Sequence, residues 1–261
     1  MKVIILAAGQ GTRLRPYTDD RPKCMVELAG CPILHHQLAV LRQAQPDEII
    51  LVGGYESDQL DIPGVSLLHN FRYDQTNMVS TLFCAGEHMQ AGEDLLITYG
   101  DIVFEKRVLD AVLECDGEVV LGADLDWRRL WELRMDDPLS DAETFVMTGG
   151  NRVTELGKQP KSYEEVQAQY MGVIRVRGDK VRDFISAYGS MDRGKSYDGK
   201  DFDNMYMTSF LQHLIDSGWD VRAALVNGGW LEIDTADELE SFNDLHKSGE
   251  LDDFVALGTS R

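Results

Sequence analysis

Two hydrophobic patterns alternate along the 261-residue chain, and this alternation constrains the fold more than any other feature of the sequence. Short apolar runs, typical of buried strands, lie at 2–8, 48–53, 65–69, 94–99 and 118–123. Stretches with apolar residues every three or four positions, typical of amphipathic helices, lie at 32–44, 77–90 and 105–115. Alternating strands and helices predict an α/β fold with a doubly wound, mostly parallel sheet.

The second half of the chain adds further strands and helices to this pattern. Strands are predicted near 143–148, 152–156, 170–176 and 220–226, and helices near 179–187, 202–217 and 235–247. The segment 124–145 breaks the alternation, because it is dense in charge and tryptophan. We expect a single domain over 1–261, with 124–145 as an insertion over a binding site.

Composition excludes several partners and compartments. The net charge of −20 argues against nucleic acid and anionic membranes, which would require a basic face. The four cysteines form no C-x-x-C pair, and no apolar stretch approaches the ~20 residues of a membrane span. The apolar start ends at Gly9, too early for a secretion signal. These features predict a cytoplasmic protein with reduced thiols.

The first predicted strand runs directly into a loop of small residues. Ala7, Ala8, Gly9 and Gly11 leave the backbone open to a ligand, and backbone N–H groups around this loop can bind an anion. Ligands of open α/β sheets bind beyond the carboxyl ends of strands, where this loop should lie. Leu14 replaces the third glycine of a dinucleotide-binding fingerprint, and the residues Arg13-Leu14-Arg15 do not fit a P-loop.

A longer string of residues identifies a family resemblance. The string is Leu6-Ala7-Ala8-Gly9-x-Gly11-Thr12-Arg13-Leu14, followed by Pro16, Thr18, Pro22-Lys23 and Gly30-x-Pro32-Ile33-Leu34. It resembles the signature of the nucleoside-diphosphate-sugar pyrophosphorylase superfamily of nucleotidylyltransferases. The resemblance implies a Rossmann-like, GT-A-like fold, a nucleoside triphosphate on the glycine loop, Arg13 on its β- and γ-phosphates and Lys23 on its α-phosphate.

The resemblance extends to further site residues. The predicted nucleotide-binding residues are Leu6, Ala7, Ala8, Gly9, Gly11, Thr12, Arg13, Lys23, Asn77 and Gly100, and the predicted catalytic residues are Arg13, Lys23 and Lys158. Lys158 lies in "ELGKQP", which departs from the Glu-x-Lys-Pro-like setting of the superfamily. A solvated lysine in a turn is the alternative for this position.

Two aspartates are implied as ligands of Mg²⁺. Asp101 follows the buried strand "LLITYG", and Asp234 follows a short strand in "WLEID". The corresponding superfamily pair holds Mg²⁺, a hard cation that takes carboxylate, phosphate and water oxygens. A turn-capping role remains open for Asp101, and Asp234-Thr235 also suits the start of the last helix.

The middle and end of the chain resemble one branch of the superfamily. The segments "YDQTNMVSTL", "ELGKQPKSYEEVQAQYMGVIRV" and "DFDNMYMTSFLQHLI" are similar to the phosphocholine cytidylyltransferase-like branch. That branch also includes enzymes that act on aminoethylphosphonate and on phosphorylated glutamine. The resemblance implies CTP as donor, a small phosphorylated or phosphonylated amine as acceptor and pyrophosphate as leaving product.

Aromatic and acidic residues provide candidates for binding such an acceptor. The candidates are Trp127, Trp131, Asp141, Glu143, Tyr170 and Trp230. If 124–145 is helical, Trp127 and Trp131 share one face and could bind a cation. The mixture of acids and aromatic rings favours a primary amine or amino acid over choline. The alternatives are that the rings belong to the core and that the acids are solvated.

Two other functions remain open. A sugar-1-phosphate nucleotidylyltransferase that makes an NDP-sugar would require partners for sugar hydroxyls in place of the tryptophan-rich acidic segment. A nucleotide-sensing module without turnover would be expected to lack the catalytic set, yet Arg13, Lys23, Asp101 and Asp234 are all present. The sequence also leaves a homodimer open.

Overall fold

The structure is a computed structural model, and it describes residues 1–258. Its strands are β1 (Lys2–Ala7), β2 (Glu27–Leu28), β3 (Cys31–Pro32), β4 (Glu48–Gly53), β5 (Ser66–His69), β6 (Leu95–Tyr99), β7 (Ile102–Phe104), β8 (Val119–Asp124), β9 (Phe145–Thr148), β10 (Arg152–Leu156), β11 (Gln169–Val176), β12 (Val221–Val226) and β13 (Trp230–Glu232). Its α-helices are α1 (Ile33–Leu41), α2 (Met78–Phe83), α3 (Lys106–Glu114), α4 (Trp127–Arg134), α5 (Val181–Ser190), α6 (Met207–Asp216) and α7 (Ala236–Ser248).

Nine strands form the central sheet, in the order β5-β4-β1-β6-β11-β8-β12-β10-β9. The pairs β5–β4, β4–β1, β1–β6 and β8–β12 are parallel, whereas β11 is antiparallel to both β6 and β8. Because β10 is antiparallel to β12 and β9, only β10 and β11 oppose the common strand direction. The predicted mostly parallel α/β sheet is therefore confirmed.

Several predicted elements differ from the observed ones. The helix predicted at 77–90 ends at Phe83, and a separate 3-10 turn follows at Gly86–His88, because glycine is a poor interior helix residue. The sequence pattern did not separate β7 from β6, although Gly100 and Asp101 form a turn between them. This division matters for function, because β7 pairs antiparallel with β13 outside the central sheet.

The carboxyl ends of β1 and β6 are held in close contact. The Gly100 N–H donates to the Leu6 carbonyl at 2.8 Å, and a Cβ on Gly100 would lie 2.8 Å from that same oxygen. Only glycine permits this approach without displacement. The small-residue loop after β1 and the turn that carries Asp101 therefore share one edge of the sheet.

The buried side chain of Gln37, on α1, forms hydrogen bonds with the turn that carries Asp101. The Gln37 side chain donates to the carbonyls of Tyr99 and Ile102 at 2.8 and 3.1 Å and accepts a bond from the Thr98 hydroxyl. Gln37 is fully buried, so these bonds satisfy a polar group that would otherwise be costly in the core. The backbone on both sides of Asp101 is thereby fixed.

The segment 124–145 contains helix α4, which places Trp127 and Trp131 one turn apart on the same face. Both tryptophans are buried, and their rings meet edge to face at 6.0 Å.

Within residues 1–258, no helix combines the length and apolar character needed to cross a membrane.

Candidate active site

A lysine joins two aspartates at the carboxyl edge of the sheet. Lys23 Nζ lies 2.7 Å from Asp101 Oδ2 and 2.7 Å from Asp234 Oδ1. Pairing of β7 with β13 brings the two acids together, and the Ile233 N–H donates to the Asp101 carbonyl. Glycine is required at position 11, because its φ is 61° and because a Cβ there would lie 3.0 Å from the Lys23 Cβ.

The charges in this cluster stabilise one another. Burial alone would raise the pKa of Asp234, but Lys23, Arg13 and Arg134 lower it below its ordinary value. Burial alone would lower the pKa of Lys23, but Asp101 and Asp234 raise it above its ordinary value. Lys23 therefore remains protonated at neutral pH and acts as a fixed positive charge.

Three carboxylates can hold a divalent cation. One oxygen of each of Asp101, Glu232 and Asp234 lies within 4.8 Å of the others. Asp101 Oδ1 is buried and accepts no hydrogen bond within the described chain, so its lone pairs have no partner in residues 1–258. Carboxylate oxygens are the ligands that hard divalent cations prefer, so these residues fit such an ion.

Glu232 is a site residue that the sequence reasoning missed. It lies in β13, and Asp234 follows two positions later. Successive side chains of an extended segment point to opposite faces, so residues two apart share a face, and this spacing was the available signal. Burial and the charge of Asp234 raise the pKa of Glu232, although Arg134 opposes this shift.

Arg134, at the end of α4, is a second residue that the sequence did not reveal. Its guanidinium lies 3.3 Å from Glu232 Oε2, 3.3 Å from Asp234 Oδ2 and 2.7 Å from Glu238 Oε1. The side chain is only 3% exposed. Glu238 in turn accepts the Asp234 and Thr235 N–H groups in the capping box of α7. The 124–145 segment is thereby tied to the acidic cluster.

A pocket at the end of β1 and β6 brings together most of the predicted nucleotide-binding residues. Leu6, Ala7, Ala8, Gly9, Lys23, Asn77 and Gly100 line it, together with Asp101, Tyr73 and Tyr99. Asn77 caps α2, because its Oδ1 accepts the Met78 N–H at 2.8 Å. Gly11 and Thr12 do not line this pocket; they shape the turn that presents Arg13.

A second pocket adjoins the first, because Met78 and Tyr99 line both. Four of the predicted acceptor-binding residues line it: Trp131, Asp141, Glu143 and Tyr170. Arg13 also lies here, with its guanidinium 3.1 Å from Asp234 Oδ1. Burial and two neighbouring acids raise the pKa of Glu143 to about 7. Gln169, Tyr206 and Thr208 also line this pocket.

Besides Gly11 and Thr12, three predicted site residues line neither pocket. Trp127 and Trp230 are buried, and their indole N–H groups donate to the Val166 carbonyl and to Asp124 respectively, so packing and local hydrogen bonds account for both. The side chain of Lys158 is half exposed, and its Nζ lies 3.0 Å from Glu155 Oε2. The Lys158 backbone bonds to Thr144, which follows Glu143 in the chain.

The comparisons with known proteins define the class of this protein, an enzyme of the nucleotidyltransferase type. Residues 3–131 match the family described as the MobA-like NTP transferase domain. The chain belongs to the nucleotidylyltransferase superfamily, as its N-terminal string predicts.

Individual relatives indicate which type of nucleotidylyltransferase the chain resembles. The chain is 41% identical over 249 residues to the CTP:phosphoglutamine cytidylyltransferase of Campylobacter jejuni subsp. jejuni, covering 92% of this chain and 98% of that protein. Its fold is similar to the CTP:phosphocholine cytidylyltransferase of Streptococcus pneumoniae, with a TM-score of 0.70 and 23% identity over 94% and 98% of the two chains. It is also similar to the inositol-1-phosphate CTP transferase of T. maritima, with a TM-score of 0.68 and 20% identity over 98% and 97% of the chains.

Proposed function

We propose that this protein is a cytidylyltransferase that transfers CMP from CTP to phosphoglutamine or a closely related phosphorylated amine. Support for the donor and the acceptor class comes from the Campylobacter relative, which is similar over nearly the full length of both chains. The acidic second pocket supports an acceptor that carries a cationic nitrogen.

The observation that carries the proposal is the position of Lys23 between the two pockets. Lys23 lines the nucleotide pocket, and its ammonium bonds Asp234, which lines the second pocket. A triphosphate in the first pocket and an acceptor phosphate in the second would meet at this junction. Positioning two reactants in this way, with fixed positive charge beside them, is the main source of catalysis in phosphoryl transfer.

The reaction balances without a covalent enzyme intermediate. An oxygen of the acceptor phosphate forms a bond to the α-phosphorus of CTP, while the bond from that phosphorus to the bridging oxygen breaks and pyrophosphate leaves. Lys23 and Arg13 would neutralise the negative charge that is shared between entering and leaving oxygens. Because the surrounding acids keep Lys23 protonated, it serves as an electrostatic group and not as a base.

Asp101, Glu232 and Asp234 are proposed to hold Mg²⁺. When bound, Mg²⁺ neutralises phosphate oxygens as a Lewis acid. A chelator should abolish turnover and added Mg²⁺ should restore it. Asp101→Asn should be nearly inactive, because it removes a charged ligand with a buried free oxygen, whereas Asp116→Asn, at a side chain that is 99% exposed, should behave as wild type. Turnover that persists in the chelator would contradict the assignment.

Pyrophosphate release tests the donor and the acceptor together. We expect release only with CTP among the four nucleoside triphosphates, and only with phosphorylated acceptors that carry a nitrogen, phosphoglutamine being the best. The panel should include phosphoethanolamine, phosphocholine, aminoethylphosphonate and glucose 1-phosphate. Faster turnover with a sugar 1-phosphate than with every amine would replace this proposal with NDP-sugar synthesis.

A further inference from the structure

The amide oxygen of Gln169, in the second pocket, has no hydrogen-bond partner within residues 1–258. Gln169 is 6% exposed, and its Oε1 is buried without a hydrogen bond in the described chain. A buried amide oxygen without a donor costs free energy, so such an atom in a pocket indicates a ligand that supplies the donor.

The backbone of β11 holds Gln169 at the pocket wall. Gln169 pairs with Asp124 of β8, and the ladder shifts register between Tyr170 and Ile174. Gly172, with a φ of +74°, lies in this irregular stretch and packs against the Tyr99 ring. As a result, the consecutive residues 169–172 all line the pocket, although a regular strand would turn alternate side chains away.

Glu143 lines the same pocket and has no positively charged partner within residues 1–258. The charged groups that raise its pKa, after burial, are both acids: Asp141 and Asp198. Asp141 is already engaged, because its Oδ2 accepts the Trp131 indole N–H at 3.1 Å. A buried carboxylate is stabilised by a nearby cation, and in this pocket a ligand can provide one.

The aromatic rings of the pocket are less suited to a methylated cation. A quaternary ammonium offers no N–H and is held mainly by open aromatic faces. The Arg134 guanidinium carbon lies 4.8 Å from the Trp131 ring centroid, so a protein cation already occupies one face of this ring. Trp127 and Trp230 do not line the pocket, and the aromatic lining is completed by Tyr99, Tyr170 and Tyr206.

Resting on the proposed function, we propose that Gln169 and Glu143 are specificity residues that bind the acceptor nitrogen and select a primary ammonium over a quaternary one. The Gln169 carbonyl oxygen and the Glu143 carboxylate each accept an N–H from the ammonium. A primary ammonium has three donors and can satisfy both groups, whereas a trimethylammonium leaves both unpaired.

The test compares acceptors that differ only in methylation of the nitrogen. Phosphoethanolamine and phosphocholine form one such pair, and phosphoglutamine and its Nα-trimethyl derivative form another. For wild type, we expect kcat/KM to be at least about tenfold higher for the primary amine of each pair, since a charged hydrogen bond contributes at least this factor. Equal values within both pairs would overturn the inference.

Two variants locate the selectivity. Gln169→Leu and Glu143→Gln should each lower kcat/KM for the primary amine about tenfold, change kcat/KM for the trimethyl acceptor and the KM for CTP much less, and so reduce the preference. Gln169→Glu should retain the preference, because it keeps an acceptor oxygen. Equal losses for both acceptors would show a packing role and contradict the proposal. Thermal unfolding of each variant excludes misfolding as the cause.

Direct measurement of acceptor binding tests this inference independently of the proposed reaction. Calorimetry of each acceptor, with a non-hydrolysable CTP analogue present, should show the same preference for the primary amine whether or not turnover occurs. Absence of pyrophosphate release with every amine would refute the proposed function alone. Equal affinities for the primary and trimethyl acceptors would refute this inference alone.

The pH profile provides a second readout for Glu143. Because its pKa is raised to about 7, Glu143 loses its charge as the pH falls through that value, and the acceptor KM should rise. The other charged groups around the pocket are Arg13, Asp141, Asp198, Glu232 and Asp234. Comparing the pH profiles of wild type and Glu143→Gln separates the effect of Glu143 on the acceptor KM from the effects of these other groups and of the acceptor phosphate. Identical profiles would contradict the role of Glu143.

Discussion

Replacing Lys23 by methionine is expected to lower kcat by about 10²–10³-fold, the loss typical when one preorganised electrostatic group is removed from an active site. Lys23 lies at the junction of the two pockets and is the cation that bonds both Asp101 and Asp234. Methionine keeps the length and apolar stem of the side chain but supplies neither charge nor donors. Removing Lys23 also leaves Asp101 and Asp234 without their shared cation, so the free energy of unfolding should be measured alongside kcat.

The measurement is steady-state pyrophosphate release at saturating CTP and acceptor. Lys247→Met is the matched control, because Lys247 is a 73% exposed lysine that pairs with Asp244 in the last turn of α7. The control should retain wild-type kcat. If Lys23→Met also turns over at the wild-type rate, Lys23 has no role in charge neutralisation, and the proposed site is wrong.

Arg134→Met should lower the free energy of unfolding at neutral pH by about 3–5 kcal/mol, the usual cost of removing one partner from a buried ion pair. Arg134 is buried and contacts three acids, Glu232, Asp234 and Glu238. Without the guanidinium, these carboxylates face one another with less compensating charge. The sheet edge and helix α4 also lose the contact that joins them.

The sign of the pH dependence follows from the acids that remain. The folded-state pKa values of Glu232 and Asp234 should rise when Arg134 is removed, because Arg134 lowers both, so the folded variant binds protons more readily than the unfolded chain. The stability deficit should therefore be largest at high pH and shrink as the pH falls and the acids become protonated. Urea unfolding at pH 8 and at pH 5 measures this difference.

Helix α4 offers a matched control for Arg134. Arg128 lies in the same helix, but its side chain is 56% exposed and it pairs with Glu132 one turn away. Arg128→Met should cost less than about 1 kcal/mol, because exposed pairs contribute little. Glu238→Gln is informative as well, since glutamine can keep the capping box of α7 while the charge opposite Arg134 is lost. Equal destabilisation by Arg134→Met and Arg128→Met would contradict the role assigned to the buried network.

Much of the fold was predictable because its signals are local. The first strand can be recognised from its own run of apolar residues, and the loop after it from its own small residues, Ala7, Ala8 and Gly9. The boundaries of β1, β4, β8 and α7 agree closely with the hydrophobic periodicity. Local patterns also placed Asp101 and Asp234 after strands, and the family resemblance implied that the two acids belong to one site.

The side chains that surround this site were less predictable, because their positions depend on contacts distant in sequence. The sequence does not distinguish between Trp127, Trp131 and Trp230 as candidate ligand-binding residues, yet of these three only Trp131 lines the second pocket. The other two satisfy their indole N–H groups within the core. Whether an aromatic residue packs or binds depends on what the opposite elements present to it, and a single sequence does not specify those neighbours.

The sequence by itself determined the superfamily, the α/β class and the residues that bring phosphate-binding charge to the first loop. Only the tertiary structure joined Lys23 to Asp234 across 211 positions, and Arg134 to Asp234 across 100. Glycines, strand ends and periodicity act on their immediate neighbours, so they can be recognised one segment at a time. Charge compensation in a buried cluster depends on distance in space, which the pairing of β7 with β13 and the position of α4 decide together.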